Sequence, residues 1–229
     1  MTYNLLMEVK DKKALPGFTK GEEVFNAVTH IVGASLGVIF LVVGVVFAAI
    51  YGDALAIVAM VIYGISLILL YIASSIYHFL RPNRAKRVFR ILDHCSIFLL
   101  IAGTYTPFCL ILLRDQGAWG WALFSVVWLC AIIGIVFNAI NMYDKTVRRV
   151  SMTAYLAMGW SCIVAIVPIV RVLHPVGIIL TALGGVAYTV GAVFYALGHK
   201  KKYIHSIWHL FVLLGSILQF FAILFFVVM

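Results

Sequence analysis

The sequence contains few charged residues. Asp, Glu, Lys and Arg make up only 11% of its 229 residues, whereas 65% are hydrophobic and the mean hydropathy is +1.12. A soluble domain is about a quarter charged and about half apolar. The composition therefore excludes an ordinary soluble domain and predicts a polytopic membrane protein.

The sequence also lacks a lysine inside the apolar runs and a close pair of cysteines. No Lys lies within an apolar run, so a retinal Schiff base has no candidate nucleophile. Residues 1–23 are polar and of mixed charge, so we expect no cleavable signal sequence. The cysteines form no close pair, and we predict buried small side chains without disulfides or a CxxC site. They all lie in apolar stretches: Cys95, Cys109, Cys130 and Cys162.

Seven apolar runs are each long enough to cross a bilayer, which requires about 20 residues of helix. The loops between them are short. The sequence therefore predicts an all-α membrane protein, a bundle of seven transmembrane helices over residues 23–229, preceded by an N-terminal segment at 1–22. The runs cover roughly residues 24–51, 54–79, 91–113, 118–140, 151–171, 174–197 and 204–228.

The positive charges predict the orientation of this bundle. Fifteen of the seventeen Lys and Arg residues lie in the N-terminal segment and in the second, fourth and sixth loops, and the other side has only Arg114 and Arg171. Cytoplasmic loops of membrane proteins are rich in Lys and Arg. We therefore expect a plasma-membrane protein with a cytoplasmic N-terminus and an external C-terminus. The net charge of +9 is explained by these loops, so no nucleic-acid partner is expected.

Histidine and aspartate are the ionisable residues that remain inside the runs. With the predicted orientation, all of them fall in one layer near the cytoplasmic side. Ionisable groups at membrane depth are costly and usually functional, so one shared site is the simplest interpretation. The residues are His30, His78, Asp93, His94, His205 and His209.

The segment HSIWH, residues 205–209, predicts a metal site. Residues at i and i+4 share a helix face with Cβ atoms about 5–6 Å apart, as in the zinc motif HExxH. A third ligand must come from another helix; His78 is the best placed, and His94 is its rival. Three histidines and a water are typical of an open, catalytic zinc site. A single histidine of this kind is more often merely hydrogen-bonded, so the prediction depends on the combination.

Two further side chains are candidate catalytic residues beside the metal. Asp93 could accept a proton from the water or orient it. Ser74 lies at i−4 from His78 on the same helix face and could hydrogen-bond to the water or to a substrate oxygen.

Four motifs in order along the chain resemble the hemolysin III family, the bacterial branch of the progestin and adipoQ receptor family. They are ExxNxxTHxxG from Glu23 to Gly33, SxxxH from Ser74 to His78, Leu92-Asp93 followed by an apolar helix reaching Pro107, and HxxxH from His205 to His209. The resemblance covers residues 22–229. It implies a seven-helix bundle with the N-terminus inside and Zn²⁺ held by His78, His205 and His209, with Asp93 and Ser74 near the bound water.

The resemblance leaves the function open between different classes. Relatives in the wider superfamily include alkaline ceramidases, and we expect a zinc-dependent hydrolase of a lipid amide or ester, with membrane lipids as substrate or ligand. Bacterial members carry a haemolysin label. The alternatives are therefore a cytolytic, pore-forming protein or a sensor of membrane state with a structural zinc, for which Asp93 is a candidate fourth ligand. Neither the substrate nor the oligomeric state follows from the sequence. Glu23, Asn26 and His30 could support helix packing or the metal ligands.

Overall fold

The computed structural model describes residues 15–197 and 201–229, and over these ranges it contains helices and no strand. Seven helices are long and apolar enough to cross a membrane, which confirms the predicted seven-helix, all-α fold. Most of the predicted N-terminal segment, together with His199 and Lys200, lies outside the described residues. The helices are α1 Lys20–Tyr51, α2 Ala54–Phe79, α3 Arg84–Leu112, α4 Trp119–Asn141, α5 Lys145–Val172, α6 Pro175–Leu197 and α7 Ile204–Val228.

Several helices begin before their apolar runs because caps determine where they start. α1 begins at Lys20, where the Thr19 side chain accepts from the Glu22 backbone and the Glu22 carboxylate accepts from the Thr19 N–H. This arrangement is a capping box. α3 begins at Arg84 because the Asn83 side chain accepts from the backbone N–H of Lys86 at 2.8 Å. The first turns of these helices therefore contain charged residues that hydropathy alone assigns to loops.

α5 is interrupted in the middle of the bundle. An α-helix from Lys145 to Gly159 is followed by a 3₁₀ turn over Ser161–Ala165, and the helix resumes before Pro168. Proline lacks an N–H and crowds the preceding turn, so a break at this position is expected. The Tyr105 hydroxyl donates to the Gly159 carbonyl and accepts from the Cys162 N–H, both at 2.9 Å. Another helix therefore satisfies backbone groups that the break leaves without helical partners.

The helices pack unevenly. α1, α2 and α3 pack against one another in sequence, and α7 packs against both α6 and α1. The α6–α7 approach is close, since a Cβ on Gly191 would lie 2.8 Å from the Trp208 ring. By contrast, α5 makes few contacts with α6. The outward faces are largely apolar, as expected for helices that contact lipid.

The cysteines differ in part from the prediction. All four are free thiols, with Cys95 and Cys109 buried and Cys162 partly buried. Cys130 is exposed, so its predicted burial is wrong. It lies on α4 beside the exposed Leu129. An apolar residue can face the lipid as well as the core, which is why hydropathy could not place it.

Candidate metal centre

Three histidines from two helices converge at the end of the bundle where α1 begins. His78 lies in the last turn of α2, and His205 and His209 lie in the first turns of α7. One ring nitrogen from each lies within 4.8 Å of the others, and the Nε2 atoms of His205 and His209 are 3.1 Å apart. With Zn–N bonds of about 2.0–2.1 Å, nitrogens in a tetrahedral site lie about 3.3 Å apart. Modest side-chain adjustment would therefore give the geometry of a metal site.

The hydrogen bonding of these rings also fits a metal. His78 Nε2 is buried and has no hydrogen-bond partner. Leaving a buried polar atom unsatisfied costs about 1–3 kcal/mol. The Nδ1 of His78 lies 2.6 Å from the Glu23 carboxylate, which accepts from it, so in the neutral ring Nδ1 carries the proton and Nε2 has a free lone pair. Neutral imidazoles with free lone pairs are the ligands that zinc requires.

Two aromatic rings cover this three-His group. The His30 ring of α1 stacks on His209, with centroids 3.7 Å apart and an interplanar angle of 18°. His30 is buried but does not belong to the group whose nitrogens converge. Phe18, just before α1, stacks on His205 with centroids 4.9 Å apart and lies 5.7 Å from the His78 ring. Sequence reasoning did not identify Phe18, since one aromatic residue before a helix carries no specific signal.

The predicted catalytic residues lie beside the three-His group. Asp93 and Ser74 line a cavity of about 130 Å³ together with His205 and His209. Ser74 is buried, and its hydroxyl lies within hydrogen-bonding reach of the Asp93 carboxylate, which is partly exposed. Both side chains therefore reach the space next to the imidazoles. Their roles in catalysis stay a prediction.

His94, the rival third ligand, lines the same cavity but does not join the three-His group. Its Nε2 lies 3.5 Å from the Tyr195 hydroxyl on α6. Its backbone carbonyl accepts from the Tyr155 hydroxyl of α5 at 2.8 Å. The structure thus brings His78, and not His94, to the HSIWH pair.

The cavity extends away from the histidines through the interior of the bundle. A second cavity of about 150 Å³ adjoins it and reaches Ile169 on α5 and Ile178 on α6, near the opposite end of these helices. The lining of both cavities is mainly apolar. An apolar space therefore runs from the three-His group along the poorly packed α5–α6 boundary. The two cavities share Thr104, Tyr105, Gly159, Trp160, Gly185 and Gln219.

Lys86 differs from its predicted environment. The charge pattern places it in a cytoplasmic loop, but its side chain is buried and its Nζ lies 2.6 Å from Glu23 Oε1. The other oxygen of Glu23 contacts His78, so Glu23 supports a candidate ligand as well as helix packing. Asn26 accepts from the Ser206 hydroxyl at 2.6 Å and joins α1 to α7. The family motif pointed to Glu23 and Asn26, but no sequence signal pointed to Lys86.

The fold and the site define a class of protein: a seven-helix membrane protein with three clustered histidines that could bind a metal ion. Residues 18–220 match the family described as Haemolysin-III related. The chain belongs to this family, as the sequence motifs predicted.

Named relatives match most of the chain. It is 44% identical over 206 residues to Hemolysin-3 from Bacillus cereus, covering 90% of this chain and 92% of that one. It is 43% identical over 211 residues to a Hemolysin-3 homolog from Bacillus subtilis, covering 92% and 97%. The human monocyte to macrophage differentiation factor is more distant, 28% identical over 167 residues, covering 71% and 67%.

Proposed function

We propose that this protein is a zinc-dependent hydrolase that cleaves an amide or ester bond in a membrane lipid. The observation that carries the proposal is the position of the three-His group, beside Asp93 and Ser74 at one end of an extended apolar cavity. A closed structural zinc site needs four protein ligands and no cavity. Three imidazoles beside a cavity with a carboxylate and a hydroxyl are the arrangement of a site that keeps one position for chemistry.

Each residue of the site has a separate role in the proposed hydrolysis. Zinc held by three imidazoles supplies a Lewis acid that lowers the pKa of a water molecule to about 7. Asp93 accepts a proton from the water that attacks the carbonyl carbon and returns a proton to the leaving amine or alcohol. The Ser74 hydroxyl, which lines the cavity beside Asp93, donates a hydrogen bond to the oxygen on which negative charge develops. The products are a fatty acid and the released amine or alcohol.

A lipid substrate is supported by the shape and lining of the two adjoining cavities. They are mainly apolar and follow the α5–α6 boundary, where the helices make few contacts. An acyl chain in this space would place its carbonyl near the histidines, and its move from the bilayer would exchange one apolar environment for another. A lipid could enter sideways between α5 and α6. We place the site near the cytoplasmic side of the plasma membrane, on the distribution of Lys and Arg.

The test compares Asp93→Asn with His78→Ala in purified protein reconstituted with a lipid extract, measuring bound zinc and released fatty acid. Asp93→Asn should keep zinc and lose hydrolysis by about 10²–10⁴-fold, the usual contribution of a positioned acid–base group. His78→Ala should lose both. The control is His174→Ala, because His174 is exposed and its Nδ1 accepts from the Val176 N–H in the first turn of α6. If Asp93→Asn loses zinc as readily as His78→Ala, Asp93 is a direct ligand and the hydrolase proposal fails.

Cytolysis is the second candidate, supported by the name of the relatives from Bacillus. It predicts leakage from dye-loaded vesicles that does not depend on Asp93. Equal leakage from wild type and Asp93→Asn, with no fatty acid released by either, would favour a pore with a structural metal. Leakage that requires Asp93 would instead follow from the lipid products of hydrolysis.

A further inference from the structure

An ion pair between the buried Lys86 and the partly buried Glu23 lies next to His78 of the three-His group and connects three helices. Glu23 comes from the first turn of α1, Lys86 from the first turn of α3, and His78 from the last turn of α2. One carboxylate oxygen of Glu23 lies 2.6 Å from His78 Nδ1 and the other lies 2.6 Å from Lys86 Nζ. The hydropathy of the sequence predicts the helices, and the loop charges predict their orientation. Neither of them predicts this contact between Glu23, His78 and Lys86.

The ammonium group of Lys86 is held in place by further contacts besides Glu23. Its Nζ also donates to the carbonyl of Leu80, the residue that ends α2, at 2.9 Å. It lies 4.9 Å from the centroid of the Tyr77 ring, an arrangement that favours a cation. The last carbonyls of a helix lack helical partners and are stabilised by a positive charge. Lys86 therefore fixes the end of the helix that presents His78 as well as the carboxylate that contacts it.

We propose that Glu23 and Lys86 are positioning residues that hold His78 with Nδ1 protonated and Nε2 directed at His205 and His209. The inference rests on the metal site of the proposed function and not on the reaction. A metal-binding histidine commonly donates its second N–H to a carboxylate, which fixes the tautomer and the ring orientation. Here the Glu23 carboxylate is itself held by the buried ammonium of Lys86. We call this chain of contacts, from Lys86 through Glu23 to His78, the relay.

The preceding residue of α1 provides a matched control. Glu22 is also acidic, and it is more buried than Glu23, but its carboxylate accepts from the backbone N–H groups of Thr19 and Tyr203, both at 2.8 Å. It caps α1 and joins it to the start of α7, and neither of these partners is an imidazole. Removing Glu22 therefore tests the loss of a buried carboxylate from the same turn, and removing Glu23 tests the loss of support for His78.

The experiment measures zinc affinity by competition with a chelator and the visible absorption of the Co²⁺-substituted full-length protein. Glu23→Ala should weaken zinc binding by about 10–100-fold and change the Co²⁺ spectrum, the usual effect of losing such a partner. Glu22→Ala should lower thermal stability, weaken zinc binding much less than Glu23→Ala does and leave the Co²⁺ spectrum unchanged, because no imidazole is among the partners of its carboxylate. Glu23→Gln combined with Lys86→Met keeps an acceptor oxygen for His78 without a buried unpaired charge, and it should recover much of the lost affinity.

A double-mutant cycle tests the relay. If Lys86 acts through Glu23, Lys86→Met weakens zinc binding in the wild type but adds little in the Glu23→Ala background. Wild-type zinc affinity and an unchanged Co²⁺ spectrum in Glu23→Ala would overturn the proposal, as would an equal loss of zinc affinity in Glu22→Ala. Strictly additive effects of Glu23→Ala and Lys86→Met on zinc affinity would also overturn it, and so would a wild-type protein that binds neither Zn²⁺ nor Co²⁺. Because the readout is metal binding, an absence of lipid hydrolysis with these affinity changes would reject the proposed function and leave this inference standing.

Discussion

At the scale of single residues, the HSIWH segment leads to a direct prediction. His205→Ala and His209→Ala should each lose the metal, of which we expect about one zinc ion per chain. The two imidazoles share one face of α7, with their Nε2 atoms 3.1 Å apart, so removing either destroys a chelate. Metal analysis of the purified variants measures this.

His94→Ala is the control for that prediction. It removes a histidine that lines the same cavity but lies beside Tyr195, outside the three-His group. It should therefore retain zinc. Full zinc occupancy in a variant lacking both His205 and His209, or loss of zinc in His94→Ala, would contradict the assignment of the ligands.

Individual residues were predictable only where a local pattern marks them. The i, i+4 spacing of His205 and His209 places them on one helix face whatever the rest of the fold does. The contact between Lys86 and Glu23 joins residues 63 positions apart and depends on how α1, α2 and α3 pack. A lysine near the end of an apolar run is ordinarily a solvated loop charge, so nothing local distinguishes Lys86.

At the scale of elements, the short segment before α1 covers the candidate metal centre. Thr19 and Glu22 form the capping box that begins α1, and this fixes Phe18 against the rings of His205 and His78. Phe18→Ala should therefore speed the loss of zinc to an added chelator without changing the number of metal ions bound. Stopped-flow chelation measures the rate.

Phe25→Ala is the control for this prediction, because the Phe25 ring contacts Tyr203 and is 40% exposed. It removes an aromatic ring of the same kind from the same end of α1. An equal rate of zinc loss in Phe18→Ala and the wild type would mean that the ring does not limit access to the metal.

A second prediction at this scale concerns the α5–α6 boundary. Gly185 lines both cavities, and a Cβ there would make ordinary contact with Trp160 at 3.6 Å. Gly185→Leu should therefore be accommodated while it fills the junction. Hydrolysis of long-chain lipids should fall more than hydrolysis of short-chain analogues, seen as a change in kcat/KM with chain length.

The control is Val186→Leu, since Val186 lies on the same helix and is 47% exposed. It adds volume outside the cavity and should leave the chain-length preference unchanged. Equal losses for long and short substrates in Gly185→Leu would show that the acyl chain does not occupy this space.

At the scale of the whole molecule, hydropathy predicts the number of helices because each span must be apolar over about 20 residues. It does not predict where helices begin when caps extend them, as at Lys20 and Arg84. It also does not predict the gap beside α6, because the 3₁₀ turn before Pro168 and the satisfaction of its backbone by Tyr105 depend on tertiary packing. The prediction that the histidines lie in one layer required the predicted direction of each helix through the membrane as well as the positions of the histidines in the sequence.

Orientation is the property on which the cytoplasmic placement of the site depends. Of the thirteen Lys and Arg residues that the structure describes, eleven lie at the end of the bundle with the histidines, and Arg114 and Arg171 lie at the other. We expect a reporter fused after Met229 to be outside the cell and one inserted within residues 145–149 to be cytoplasmic, because cationic loops are retained inside. Paired alkaline phosphatase and fluorescent protein fusions measure both positions. Alkaline phosphatase activity at 145–149 and none after Met229 would reverse the topology and move the three-His group to the external leaflet.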